Sequence, residues 1–159
     1  AGRPAKLYRR SDQHVAVSLP QRRYDLAGQL LASALEHAEG SGDSPRAVLD
    51  QRAYQLGKEL GETARSPGDC DTRDIALRVL EEYGFEPRRE GDDVTLVNCP
   101  FHTLAQAHTE LVCGMNLSLL DGLLDGLAPT GLTAHLDPAP PHCCVRLEPA
   151  EPGSVAQRR

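Results

Sequence analysis

Residues Leu104 to Leu127 read LAQAHTELVCGMNLSLLDGLLDGL. This is the most helical stretch of the chain. Leu111, Met115, Leu119 and Leu123 recur every four residues, and Leu120, Leu124 and Leu127 widen the same face. The spacing predicts a long helix with an apolar stripe turned to a core. Its flanks set the fold class. Upstream, residues 85–89 and 94–98 bracket Glu90-Gly91-Asp92-Asp93, a hairpin signal. Downstream, residues 132–136 and 143–147 read as strands, joined by a Pro-rich segment at 137–142.

Three further helices are expected before the hairpin. Pro20 opens the first, which runs to about Ala38 and stops at Gly40. Its apolar face is Leu26, Ala27, Leu30, Leu31, Ala34 and Leu35. The second spans about 46–64 on Val48, Leu49, Ala53, Leu56 and Leu60, with Gly57 and Gly61 weakening it. Asp71 or Thr72 caps the third, which ends near Tyr83 before Gly84. Residues 4–10 and 13–19 read as extended. The order predicts an α+β fold, an antiparallel sheet packed against helices on one face. Residues 20–150 form one domain on this reading, and 151–159 a disordered tail.

The chain has 159 residues and a net charge of −6. Residues 1–23 hold Arg3, Lys6, Arg9, Arg10, Arg22 and Arg23 against the single acid Asp12, so the rest carries the acidity. An acidic body with a basic edge does not fit a whole nucleic-acid-binding domain, but it fits a body attached to the margin of one. No apolar run reaches the ~18 residues of a membrane span. The basic, polar first ten residues have no apolar core of a secretory signal. A cytoplasmic protein with reduced thiols is the expectation, and its odd count of five cysteines agrees.

Three segments carry the candidate chemistry: Asn98-Cys99-Pro100-Phe101-His102, Val112-Cys113-Gly114-Met115-Asn116 and His142-Cys143-Cys144-Val145-Arg146. Thiolates are soft ligands for zinc, copper(I) and iron–sulfur clusters. Cys99, Cys113 and Cys143 or Cys144 fall on three separate elements, so folding would assemble the site. The fourth ligand stays open among the second of the vicinal pair, His102, His142 and an external group. Buried inert thiols and a redox switch through the vicinal pair are the alternatives. A helix running straight from Thr103 would carry Cys113 ~15 Å from its start. Ligation together with Cys99 therefore predicts a break near His108–Thr109. Cys113 would then sit near a helix start, where the dipole favours a thiolate. Cys99 with His102 is a thin nucleophile–base pair with no third group to orient it, and no enzyme is expected.

Gly2-Arg3-Pro4-Ala5-Lys6-Leu7-Tyr8 resembles the last wing strand of bacterial winged helix-turn-helix regulators. The later segments, from Asn98-Cys99-Pro100-Phe101-His102 through Leu119-Leu120-Asp121-Gly122-Leu123-Leu124, resemble the sensor half of ArsR-like and DeoR-like regulators, and most of all the SufR-like repressors. The resemblance implies that residues 1–19 are the wing remnant and linker of a DNA-binding domain mostly absent from this chain. Arg3 and Lys6 would touch DNA phosphate. It implies a homodimeric transcriptional repressor, held together largely by the helix at 20–38. For an iron–sulfur cluster, or alternatively zinc, Cys99 and Cys113 would match the first two ligand positions and Cys143 or Cys144 a late one, with His102 as a further candidate. Relatives of this kind carry another Cys between the long helix and the last strand; here Gly114 to His142 has none. The same half resembles ligand-binding domains of the 4-vinyl reductase type, which implies a small-molecule sensor as the alternative.

Overall fold

The structure is a computed structural model that describes residues 17–66, 71–138 and 142–150. Arg3, Lys6, Cys70, the expected strand at 4–10 and the tail at 151–159 lie outside the described residues. Five helices and four strands follow in the order α1 (Tyr24–Ser41), α2 (Pro45–Ala64), α3 (Thr72–Glu82), β1 (Pro87–Glu90), β2 (Asp93–Leu96), α4 (His102–Ala107), α5 (Thr109–Leu127), β3 (Leu132–Leu136) and β4 (Val145–Pro149). The α+β class expected from the pattern is the one observed. The sheet is antiparallel throughout, in the order β1-β2-β4-β3. Its inner face, with Val94, Leu96, Ala134, Val145 and Leu147, is buried, and α5 packs on the sheet.

Helix α5 is the axis of the core. Ten of its residues are buried, including Cys113 and Asn116. Its closest partner is α2, and glycines explain the closeness. A Cβ on Gly57 or Gly122 would fall inside the radius of Leu119 O or Tyr54 O on the facing helix. A Cβ on Gly61 would lie 2.6 Å from Leu123 O. Gly57 and Gly61 of α2 thus meet Gly122 and Gly126 of α5, and the two backbones touch where side chains would hold them apart. The expectation that Gly57 and Gly61 merely weaken α2 misses this: their local helix cost is offset by close packing.

The first helix begins four residues later than Pro20 suggested. Residues 21–23 are engaged elsewhere. The Arg23 N–H donates to Pro100 O (3.0 Å), and the Arg23 guanidinium lies 4.7 Å over the Tyr83 ring. Val17, Ser18 and Leu19, expected to end a strand, are not in one; Val17 and Leu19 are exposed. Helix α1 buries Leu26, Ala27, Leu30, Ala34 and Ala38, but turns Leu35 outward at 54% exposure. It closes on Gly42, which takes the left-handed conformation (φ 78°) and donates to Ala38 O. Asp71 caps α3, accepting from the Asp74 N–H. No helix among the described residues is long and apolar enough to cross a membrane.

Candidate functional site

The sheet topology brings three distant segments to one end. Strand β4 runs antiparallel to β2, so the end of β2 lies beside the start of β4. Cys99 follows β2, and Cys143-Cys144 precede β4. The expected strand at 143–147 starts two residues later, at Val145, because both residues serve as clamps at its mouth. The Cys143 N–H donates to Leu96 O (2.9 Å), and Cys144 O accepts from the Asp137 N–H (2.8 Å). Cys113 arrives from above, in the second turn of α5.

That arrival requires the helix to break, and it does. Helix α4 ends at Ala107, His108 adopts φ −137° and ψ 55°, and α5 restarts at Thr109. The break falls at the place that convergence of Cys99 and Cys113 demanded. The four thiols are free of disulfides; Cys99, Cys113 and Cys143 are buried and Cys144 is half-buried.

The four cysteines lie close enough to shift one another's ionisation, Cys143 acting on Cys99 and Cys144, and Cys144 on Cys113. Cys144 is drawn down to about 6, chiefly by the hydrogen bond from Cys143, with further bonds from Cys113 and Asn116. Cys99 is lowered as well, chiefly by the Cys143 thiol, then by the Phe101 N–H and the Arg22 charge. Cys143 is raised well above the ordinary thiol value because its proton is held by Cys144 and Cys99. Cys113 is pushed up to about 12, by burial first and by Cys144 second. The helix dipole was expected to favour a thiolate at Cys113. Burial and a neighbouring thiolate overcome it, and Cys113 is a donor instead. Cys99 and Cys144, both shifted down, thus stand against Cys113 and Cys143, both shifted up.

Two asparagines frame the cluster, and sequence reasoning gave neither a role. Asn98 is buried, and every polar atom of its carboxamide is used. Its Nδ2 donates to Gly84 O (2.5 Å) and Gln21 O (3.1 Å), and its Oδ1 accepts from Arg22 Nη1. Arg22 Nη1 also donates to Cys99 O (3.1 Å). The Tyr24 hydroxyl donates to Thr103 Oγ1 (2.9 Å). Residues 21–24, which lead into α1, are thus bolted to the turn that carries Cys99. Asn116 is 1% exposed, and its Nδ2 donates to Cys143 Sγ (3.3 Å).

His102 opens α4, and its link to Cys99 is through the backbone, its N–H donating to Cys99 O (3.1 Å). The structure thus does not pair its imidazole with the thiols. His142 is exposed and lines a surface cavity of about 110 Å³ with Cys143, Glu90, Asp137 and Arg146. Among the described residues, no group of three or more His, Cys, Asp and Glu side chains stands ready at metal-ligating geometry. The four cysteines are nonetheless near enough to one another to shift each other's ionisation.

Compared with family models, with curated proteins and with solved structures, the chain matches none.

Proposed function

We propose that this chain is the sensor and dimerisation part of a transcriptional regulator, and that it binds an iron–sulfur cluster through Cys99, Cys113, Cys143 and Cys144. The observation that carries the reading is the convergence of four free thiols, three of them buried, from three elements at one end of the sheet. The donor set fits the group. Soft thiolates suit iron and zinc, and a buried pocket keeps water from competing. A bound cluster would supply a centre whose oxidation, loss or repair reports on iron and oxygen.

The chain's own residues supply the rest. Cys144, drawn down to about 6, gives up its proton readily for ligation, and Cys99 is shifted in the same direction. Cys143 and Cys113 release theirs on binding. Arg22 and Asn98 join the Cys99 turn to residues 21–24, so a shift at Cys99 is felt at the entry to α1. Leu35 faces outward from α1, where a second copy would cover it. DNA contact through Arg3 and Lys6 belongs to the same proposal.

For the small-molecule reading, a cavity of about 380 Å³ lined by Asp121, Leu124, Pro129, Thr130 and Leu132 lies between α5 and β3, but the core interior offers no such room. The apolar cavity lined by Leu60, Leu80, Phe85, Leu119 and Leu123 is about 10 Å³. That is room for one water at most.

The test is iron, sulfide and zinc analysis with a visible spectrum, on protein purified without oxygen. Iron with acid-labile sulfide is expected, lost in Cys99→Ser and Cys113→Ser and retained in Cys70→Ser. A colourless, folded protein without iron or sulfide overturns the cluster.

A further inference from the structure

Among the described residues, three buried polar side chains stand out: Asn98, Asn116 and Thr130. Asn98 spends its carboxamide on backbone and Arg22, and Thr130 Oγ1 accepts from the Leu132 N–H. Asn116 differs. Its nitrogen faces sulfur, donating to Cys143 Sγ at 3.3 Å. Its Oδ1 is buried with no hydrogen-bond partner.

The pairing is good for the sulfurs and poor for the fold. An unpaired amide oxygen in the core is costly, and a leucine of similar size would avoid it. Asn116 also lies three residues after Cys113 on α5, so one helix face delivers both into the cluster. A polar residue kept at a core position at a cost to packing points to the site it touches.

We propose that Asn116 is the positioning residue of the thiol site, its buried amide nitrogen orienting the Cys143 sulfur as a ligand for a thiophilic metal. The proposal rests on the metal-thiolate reading above. Outer groups that orient ligands in this way typically contribute about 10–100-fold to metal affinity.

Cobalt(II) is the probe, because its sulfur-to-metal charge-transfer band appears only when thiolates ligate it. The full chain, metal-free and reduced, is titrated without oxygen against a competing chelator, alongside Asn116→Leu. The variant should bind cobalt about 10–100-fold more weakly. Its metal-free form should melt at or above the parent, since the orphaned oxygen is gone. A merely structural asparagine would give the opposite melting result. Should Asn116→Leu not fold, Asn116→Asp keeps the shape, removes the donors and should weaken cobalt binding as well. Cobalt binding equal to the parent in a folded variant overturns the role of Asn116 alone. A parent chain that gives no charge-transfer band overturns the metal-thiolate reading, and this inference with it.

Discussion

The same substitution, Gly→Ala, should move stability in opposite directions at three sites. At Gly28, exposed in α1, a Cβ meets nothing within 4 Å. Only the helix preference acts there, and alanine should gain roughly 0.5–1 kcal/mol. At Gly61 the Cβ would stand 2.6 Å from Leu123 O and 3.0 Å from Gly126 C and Leu127 N. An ordinary C···O contact is about 3.3 Å, so the overlap is about 0.7 Å. All three neighbours are main chain of the facing helix, so no rotamer change relieves it and α2 must move from α5. Overpacking of this kind costs about 1–3 kcal/mol, and the upper part of that range outweighs the ~1 kcal/mol helix gain. Gly122, whose Cβ would fall deeper into Tyr54 O, should lose more. At roughly 2–4 °C per kcal/mol for a chain this size, Gly28→Ala should melt up to about 4 °C higher. Gly61→Ala should melt a few degrees lower, and Gly122→Ala lower still. Thermal unfolding followed by circular dichroism reads all three. The double variant Gly61→Ala/Gly122→Ala should lose less than the sum, because one displacement of the helix pair serves both. An unchanged or higher midpoint for Gly122→Ala would refute the close-packed reading of α2 on α5.

Two more outcomes follow from the site. Arg22→Met should leave Asn98 Oδ1 and Cys99 O without their charged donor and lower stability by about 2 kcal/mol in denaturant unfolding, while Arg52→Met, at an exposed bond to His37, stays within about 0.5 kcal/mol; equal effects would remove Arg22 from the site's support. For pH, the folded value of Cys144 lies at about 6, below its unfolded value near 9.0, so its stabilisation is full above 9 and is lost as pH falls through 6. Cys113, raised to about 12, acts in the other sense, its contribution being lost as pH rises from 9 through 12. Stability of the reduced protein should therefore rise between pH 6 and 9, and Cys144→Ser should flatten that rise; a rise that survives the substitution would show that the Cys144 thiolate is not its source.

Much of the fold is legible because it rests on local periodicity. The stripe on α5, the turn chemistry at Glu90-Gly91-Asp92-Asp93 and the strand at 132–136 each carry their own signal. The start of α1 is not legible, because what ends it is the 98–103 turn, some 75 residues away in sequence. The sheet order is not legible either, since nothing local tells β4 to lie between β2 and β3. The break at His108 is a different case. No proline or glycine marks it, yet requiring Cys99 and Cys113 to meet locates it. The missed residues had a signal of their own. Asn116 is a polar side chain at a core position of α5, three residues after a cysteine, and Asn98 precedes the other. The Gly57/Gly61 and Gly122/Gly126 pairs share a four-residue spacing that becomes meaningful once α2 and α5 are neighbours.

That packing bears on where a sensor of this design can yield. Cys113 and Asn116 ride on α5, and α5 is locked to α2 through main-chain contact at four glycines. Cys143 and Cys144 are clamped to Leu96 and Asp137 at the mouth of the sheet. Neither side moves without breaking core packing or backbone pairing. Cys99 is held differently. It lies on a turn tied to residues 21–24 by the Arg22 and Asn98 hydrogen bonds, which are part-buried, and by the exposed Tyr24 bond. When a metal replaces the protons of the thiols, the sulfurs must rearrange about it. The least costly displacement is at Cys99, and what yields with it is the entry to α1. In the proposed regulator, the two rigid sides of the site direct the change to the entry of α1.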